Sequence, residues 1–256
     1  MRMNYDNFMR THFFFGLILL FTTSVVLAAP EGFKREERSF ANVKFDVVTI
    51  DLKRIELKQY WKRADGSPYG SLGALREALK KQNKEFLFAT NSGIYDQQYS
   101  PLGLYIERGT RARKINKSRA PGGNFSMVPN GIFLISQDQK AYVIETSEFS
   151  DNLAATEATQ SGPLLLHNGK IHPKFTKGSE NKKLRSGVGV NGDGHVVFAI
   201  SRGGVSFYDF ADFFQSLKCS SALYLDGSIS EFLVGGEPAS EPLAPFVGIW
   251  SATSRR

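Results

Sequence analysis

The stretch Ala222–Ser230, which reads ALYLDGSIS, indicates how a central strand of this chain ends. Its first four residues are typical of a buried strand, and they run directly into Asp226 and Gly227. A strand that ends in a carboxylate on a loop of small residues can hold a reactive or ligand-binding acid rigidly at a sheet edge. Asp-Gly is also a common turn dipeptide, so a simple turn between two strands is the alternative.

The segments around this stretch predict one domain, over residues 31–256, that is rich in strands. Helices are predicted at 71–80 and 207–217, where apolar residues recur at spacings of three and four. Residues 54–62 are predicted to form a hairpin with 43–52. Because strands and helices do not alternate steadily, the predicted class is α+β, a large mixed or antiparallel sheet with two or three packed helices. Other predicted strands are 86–89, 102–107, 125–127, 131–135, 141–144, 188–190, 196–200, 222–225 and 246–251.

The first 29 residues have the features of a secretory signal peptide. Arg2 and Arg10 precede an apolar run, and small residues lie before Pro30. The run contains three hydroxyl residues and is short for a membrane span, which needs roughly 20 apolar residues. We therefore expect a periplasmic or secreted protein with no stable membrane span after cleavage; an uncleaved anchor is the alternative.

Charge and cysteine content limit the classes of partner and the means of stabilisation. The formal net charge is +7, but the basic residues are dispersed and form no continuous stripe with aromatic residues. This distribution argues against nucleic acid as a partner. Cys219 is the single cysteine, so no internal disulfide is possible, and its position after an apolar helix pattern predicts a core residue.

Several common catalytic motifs are missing from the sequence. It contains no Gly-rich phosphate loop with Lys-Ser or Lys-Thr, no zinc-type Cys/His cluster and no Gly-x-Ser-x-Gly motif. The four histidines fall in the predicted signal peptide, in turns or at a strand start, so neither a histidine dyad nor a metal site is expected. No metal and no cofactor are predicted, and the oligomeric state is left open.

Polar residues beside glycine occur at six predicted strand ends. Each junction is weak evidence alone, because Asn, Ser and Gly populate turns in all proteins. Together they could form one polar pocket, with amide and hydroxyl donors for sugar hydroxyls, glycines for close approach, one guanidinium and one carboxylate. The junctions are Asn91–Tyr95, Pro101–Gly103, Gly122–Phe125, Gln160–Pro163, Lys183–Gly189 and Asp226-Gly227.

These motifs, in this order, resemble those of the phosphodiester glycosidase family. The resemblance spans roughly residues 86–230. The sequence departs from the family's Leu-Asp-Gly-Gly-Gly-Ser signature at Ser228 and Ile229, which replace two glycines and bear on the width of the sugar pocket. The matching motifs are Asn91-Ser92-Gly93-Ile94-Tyr95, Pro101-Leu102-Gly103, Ser161-Gly162-Pro163, Arg185-Ser186-Gly187-Val188-Gly189 and Leu225-Asp226-Gly227-Ser228-Ile229-Ser230.

The resemblance implies hydrolysis of a sugar-1-phosphodiester at its anomeric C–O bond, which releases a free sugar and a phosphomonoester. Asp226 would act as general base, nucleophile or oxocarbenium stabiliser, and its geometry decides between these roles. Arg185 would bind the phosphate, because its planar fork matches two phosphate oxygens. Ser230 would also orient Asp226. The residues implied to bind the sugar-phosphate or glycan substrate are Asn91, Gly93, Asn124, Ser161, Gly162, Gly227 and Ser230.

Two other functions are compatible with the same residues. The chain could be an envelope glycan- or phosphoglycan-binding module that lost catalysis, which the altered glycine signature at Ser228 and Ile229 favours. It could also be a phosphatase or nuclease-like phosphodiesterase that cleaves the P–O bond.

Overall fold

The computed structural model describes residues 29–96, 98–118, 125–227, 230–239 and 248–255. Residues 1–28 of the predicted signal peptide, Asn124, Ser228 and Ile229 lie outside these ranges. Within them, no helix has the length and apolar character needed to cross a bilayer.

Strands are the commonest secondary structure in the described chain, and two α-helices accompany them. The helices are α1 (Leu72–Lys81) and α2 (Phe207–Ser216). The strands are β1 (Phe33–Phe40), β2 (Val43–Ile50), β3 (Ile55–Tyr60), β4 (Phe86–Asn91), β5 (Tyr105–Glu107), β6 (Thr110–Arg113), β7 (Gly131–Ser136), β8 (Ala141–Glu145), β9 (Ala155–Ser161), β10 (Leu164–His167), β11 (Lys170–Ile171), β12 (Ser186–Asn191), β13 (Val196–Ser201), β14 (Cys219–Tyr224), β15 (Phe232–Val234) and β16 (Ile249–Ser254).

These strands form three antiparallel sheets. The first has the order β1-β2-β13-β12-β14-β10-β11, the second β15-β4-β16-β3 and the third β6-β5-β9-β7-β8. The described chain is therefore dominated by sheet, and the predicted α+β class with one large sheet was too loose. Of the predicted alternatives, a mixed or antiparallel sheet and two or three helices, the described residues show antiparallel pairing and two α-helices.

Each helix begins at a serine cap and buries one apolar face. The side chain of Ser71 accepts the N–H of Ala74 at 3.0 Å, and Ser206 accepts the N–H of Asp209 at the same distance. Helix α2 buries three phenylalanines, and Phe213 stacks on Phe45 of β2 with 3.9 Å between ring centroids. Helix α2 thus covers one face of the first sheet.

The opposite face of the first sheet packs against the other two sheets. Phe198 of β13 lies 5.3 Å from Phe88 of the second sheet and 6.0 Å from Phe133 of the third, measured between ring centroids. Phe133 also contacts Trp250, which is fully buried. Burial of such aromatic side chains stabilises a core by about 1.5–3 kcal/mol each. All three sheets therefore share one core.

Two strand predictions were wrong. β2 does not pair with β3: it lies between β1 and β13, while β3 pairs with β16. Residues 125–127 form no strand. The hairpin between β12 and β13 is confirmed, and so is the burial of Cys219.

Candidate active site

The candidate site lies where β14 ends beside the start of β12. In this antiparallel pair, Gly187 faces Tyr224, and the N–H of Leu225 donates to the carbonyl of Ser186 at 3.0 Å. The backbone of Asp226, which follows Leu225, is therefore brought next to the backbone of Arg185, which precedes Ser186. The register of the pair thus places the backbone of the Asp226 loop beside the backbone of Arg185.

Hydroxyl and amide groups hold the backbone of this loop. Ser186 donates from its Oγ to the Asp226 carbonyl at 2.6 Å, and Ser230 donates to the same carbonyl. Asn91 donates from Nδ2 to the Ser186 Oγ at 3.1 Å, and Ser161 donates from Oγ to the carbonyl preceding Asp226, at 2.7 Å. Asn91 comes from the second sheet, Ser161 from the third and Ser186 from the first, so all three sheets meet at this loop.

Two of the polar residues predicted to bind substrate are buried in the structure. Asn91 is 1% exposed and Ser161 is fully buried, and the polar side chains of both bond to protein atoms. In this arrangement they brace the Asp226 loop and present no donor at the surface. Ser230 is partly exposed and bonds to the backbone of Asp226, which fits its predicted orienting role.

Arg185 is buried at the side of the loop. Its Nε donates to the carbonyl of Val205 at 2.8 Å and its Nη2 to the carbonyl of Asn181 at 3.2 Å. The guanidinium carbon lies 3.5 Å from the centroid of the Phe207 ring, a close cation–π contact. Burial lowers the pKa of Arg185 from its ordinary value, although a guanidinium of this kind stays charged.

Tyr224 is close both to the buried guanidinium, whose carbon lies 5.6 Å from its ring centroid, and to the charge of Asp226. Its side chain hydrogen-bonds to Arg185, and its hydroxyl oxygen interacts with the backbone of Gly227. Burial, and then the charge of Asp226, raise the pKa of Tyr224 to about 12. Its hydroxyl therefore keeps its proton near neutral pH and can donate a hydrogen bond. Tyr224 was not among the predicted site residues, although it stands in the stretch that pointed to Asp226.

A second tyrosine borders the same carboxylate. Tyr95 follows β4, and its pKa is raised to about 12, mainly by burial and next by the charge of Asp226. Its ring centroid lies 6.2 Å from that of Tyr99. The sequence signal for this residue was the aromatic position of the Asn91–Tyr95 motif.

The glycines of the site motifs permit close packing between segments. A Cβ atom on Gly93 would lie 2.6 Å from the carbonyl oxygen of Gln160, and one on Gly103 would lie 2.5 Å from that residue's Oε1. A Cβ on Gly227 would lie 2.2 Å from the Tyr224 hydroxyl. These distances are too short for any side chain, so the glycines are required by the fold of the site.

Gln160 connects the same segments, and sequence reasoning had not assigned it a role. It is 1% exposed, and its Oε1 accepts the N–H groups of Leu104 at 3.0 Å and Asn116 at 2.8 Å. Gly162, which was predicted to bind substrate, is buried and precedes Pro163 in a cis peptide bond. Among the described residues, no group of three or more His, Cys, Asp or Glu side chains is placed to hold a metal ion.

The chain belongs to the phosphodiester glycosidase family, whose model matches residues 84–247. The match begins just before β4 and ends just before β16, so it includes Asn91, Ser161, Arg185 and Asp226. The sequence-based recognition of this family is confirmed. Membership supports a hydrolase that acts on a sugar-containing substrate.

The chain is also similar to individual proteins. The chain is 36% identical over 200 residues to the uncharacterized protein YigE of Escherichia coli strain K12, with 78% of each chain covered. It shares its fold with the catalytic domain of zebrafish N-acetylglucosamine-1-phosphodiester alpha-N-acetylglucosaminidase, auto-inhibited by its pro-peptide, at a TM-score of 0.60 and 15% identity over 88% of this chain and 82% of that one. A hypothetical protein from Synechocystis has a TM-score of 0.52 and 15% identity over 87% of this chain and 62% of that one.

Proposed function

We propose that this protein hydrolyses the anomeric C–O bond of a sugar-1-phosphodiester in the cell envelope, releasing a free sugar and a phosphomonoester. The observation that supports it most directly is the braced Asp226 loop, which receives side chains from all three sheets beside a buried guanidinium. The family assignment supplies the reaction class. The envelope location rests on the signal-peptide features of residues 1–29.

One well-placed carboxylate suffices for this reaction. In the hydrolysis, a water oxygen bonds to the anomeric carbon, and the bond from that carbon to the phosphate oxygen breaks. The departing phosphate oxygen keeps the electron pair, and a phosphomonoester has its second pKa at about 6, so it needs little protonation. Ordinary glycosidases require a pair of carboxylates because their leaving groups are more basic. Asp226 takes up the proton of the water, or stabilises positive charge at the anomeric carbon.

We assign the phosphate group to the pair formed by Arg185 and Tyr224. The guanidinium is 2% exposed and already donates to two carbonyl groups, so it supplies mainly positive charge. Tyr224 is only partly buried and its hydroxyl stays protonated, so it is the group that donates to a phosphate oxygen. A donor fixed in this way typically contributes on the order of 2–4 kcal/mol to transition-state stabilisation.

The test is to incubate the protein with sugar-1-phosphodiesters and to measure released sugar. Asp226→Asn is expected to reduce turnover by at least 100-fold, because it removes the charge and the proton acceptor. Asp193→Asn, in the exposed turn between β12 and β13, is the matched control and should retain full activity. Turnover in oxygen-18 water should label the sugar. Label in the phosphate would mean P–O cleavage, and unchanged activity of the Asp226 variant would exclude the assigned mechanism.

Binding without hydrolysis is the second candidate function. The observation that favours it is the replacement of two signature glycines by Ser228 and Ile229. Saturable binding of a sugar phosphodiester with no release of sugar over long incubation would support a binding module and would overturn the hydrolase proposal.

A further inference from the structure

The guanidinium group of Arg185 packs against two aromatic rings. Its carbon lies 3.5 Å from the centroid of the Phe207 ring and 5.6 Å from that of Tyr224. The two rings meet edge to face, with 5.0 Å between their centroids and an interplanar angle of 87°. Tyr224 belongs to the proposed phosphate site, whereas Phe207 has no polar group that could bind a phosphate. Phe207 can therefore act on the phosphate only through Arg185.

A second phenylalanine supports Phe207 from behind. The rings of Phe207 and Phe175 are nearly parallel, at 8°, and their centroids are 5.0 Å apart. A guanidinium at 3.5 Å leaves no room for a second stacked ring on the same face of Phe207, so Phe175 lies against the opposite face. His172 continues the stack beyond Phe175, with 4.6 Å between the ring centroids and 20° between the planes. Phe207, Phe175 and His172 thus form an aromatic column that ends at the guanidinium.

Backbone hydrogen bonds fix both ends of the aromatic column. Phe207 is the first residue of α2, and the carbonyl of Val205, two residues earlier, accepts the Nε–H of Arg185 at 2.8 Å. In the turn after β11, the N–H of Phe175 donates to the carbonyl of His172 at 3.0 Å, and the N–H of His172 donates to a carbonyl of β10 at 3.1 Å. The start of α2 and the turn after β11 therefore both determine where the guanidinium lies.

We propose that Phe207 and Phe175 are positioning residues for Arg185, which fix the plane of its guanidinium and keep water away from it. The inference rests on the proposed function, in which this guanidinium supplies positive charge to the phosphate group. Two hydrogen bonds hold Nε and Nη2, and the Phe207 ring covers one face of the group. The attraction between a cation and an aromatic face is strongest where water is excluded. A charge that is fixed before the reaction stabilises the developing charge of the leaving phosphate without reorganisation.

The kinetic test compares Phe207→Leu and Phe175→Leu with the wild type, and released sugar is measured. Phe207→Tyr is the variant that keeps the ring. The substrates are two diesters of the same sugar 1-phosphate, one with a methyl group and one with a nitrophenyl group on the phosphate. The nitrophenyl phosphate leaves more readily, so its departure depends less on a positive charge beside it.

Each leucine variant should lower kcat on the methyl diester about 3- to 30-fold and change KM by less than about twofold, because the guanidinium stabilises charge that develops in the transition state. The loss should be smaller on the nitrophenyl diester, whereas simple destabilisation of the protein would affect both substrates equally. Phe207→Tyr should behave nearly as the wild type. Unchanged kcat in either leucine variant, or equal losses on both substrates, would overturn the proposal.

A second measurement follows Arg185 without turnover, so failure of this inference can be told from failure of the proposed function. NMR of nitrogen-15-labelled protein gives the rate at which the Arg185 Nε–H, which bonds to a backbone carbonyl, exchanges with water. Phe207→Leu and Phe175→Leu should each speed this exchange roughly tenfold or more, and Phe207→Tyr should leave it unchanged. Phe40→Leu is the matched control, because Phe40 belongs to the same apolar cluster and is also partly buried but packs on Phe213.

Faster exchange in both leucine variants of the aromatic column, with wild-type exchange in Phe40→Leu, supports the positioning role even if no phosphodiester is hydrolysed. Wild-type exchange in Phe207→Leu or Phe175→Leu, or equally fast exchange in Phe40→Leu, would overturn it.

Discussion

The buried carboxyl group of Glu157 should make the stability of this protein depend on pH in an unusual direction. Glu157 lies on β9 and is 3% exposed. Its two oxygens accept the backbone N–H groups of Gln59 and Arg108, each at 3.1 Å. Burial raises its pKa from 4.5 to about 7, the charge of Glu107 adds to this effect, and the two N–H groups oppose it.

The sign and size of the effect follow from this shift. Between pH 4.5 and about 7 the folded protein holds a proton on Glu157 that the unfolded chain has released, so the free energy of unfolding falls as pH rises. A shift from 4.5 to about 7, at ~1.36 kcal/mol per pKa unit, corresponds to about 3 kcal/mol. His172 has the opposite effect below pH 6.5, because burial lowers its pKa. The effect must therefore be measured as a difference between two proteins that both retain His172.

Urea unfolding of the wild type and of Glu157→Gln, from pH 4.5 to 8, provides that measurement. At low pH the variant should be less stable by about 1–3 kcal/mol, because its amide NH₂ faces one of the two N–H donors. As pH rises, the free energy of unfolding of the wild type should fall by about 3 kcal/mol relative to that of the variant, which closes or reverses the difference, since only the wild type must ionise a buried acid. The control is Glu180→Gln, because the Glu180 side chain is 91% exposed. The difference in unfolding free energy between this variant and the wild type should stay constant over the same pH range. Parallel stability curves for the wild type and Glu157→Gln would refute the reasoning.

Three further substitutions test the construction of the site. Gly93→Ala should lower the free energy of unfolding by about 1–3 kcal/mol in urea titrations, because its Cβ would lie 2.6 Å from a backbone oxygen of Gln160. Unchanged stability would contradict the packing role of Gly93. Ser161→Ala removes the 2.7 Å donor to the carbonyl of Leu225 and should lower the free energy of unfolding by about 1–3 kcal/mol. In kinetic assays kcat should fall and KM should change little; a rise in KM alone would indicate direct substrate contact. Tyr224→Phe should reduce kcat/KM by about 30- to 1,000-fold with no loss of thermal stability above about 1 kcal/mol, and wild-type kinetics would remove Tyr224 from the phosphate site.

The local structure of this protein could be predicted from its sequence more fully than its sheet arrangement. Both helices follow from apolar spacing and a serine cap, and the β12–β13 hairpin follows from its Asn-Gly-Asp-Gly turn. Strand β1 was not predicted, because its charged sequence, FKREERSF, is typical of an exposed edge strand and lacks an apolar run. Which strands pair across long separations depends on the packed core, and β3 pairing with β16 has no local signal.

At the candidate site, too, local features could be predicted from the sequence more fully than long-range contacts. The pairing of β12 with β14 brings the backbone that follows Leu225 beside the backbone that precedes Ser186, because antiparallel strands bring their ends together; the predicted roles of Asp226 and Arg185 stay predictions. The sequence could not show that Asn91 and Ser161 are buried, since a polar residue beside glycine has the same pattern whether it contacts ligand or backbone. Tyr224 was missed because an aromatic residue in a strand usually belongs to the core. The roles predicted for Asn124 and Gly162 in substrate binding stay predictions.

The hydroxyl of Ser186 has a consequence for how the protein tolerates deformation. Its oxygen accepts a hydrogen bond from Asn91 of the second sheet and donates one to the Asp226 carbonyl, which follows a strand of the first sheet. A single oxygen atom therefore links the relative position of these two sheets to the position of the Asp226 loop. Sliding of the second sheet over the first by about an ångström would break the 3.1 Å bond between Asn91 and Ser186. The position of the Asp226 loop therefore depends on the relative position of the first and second sheets.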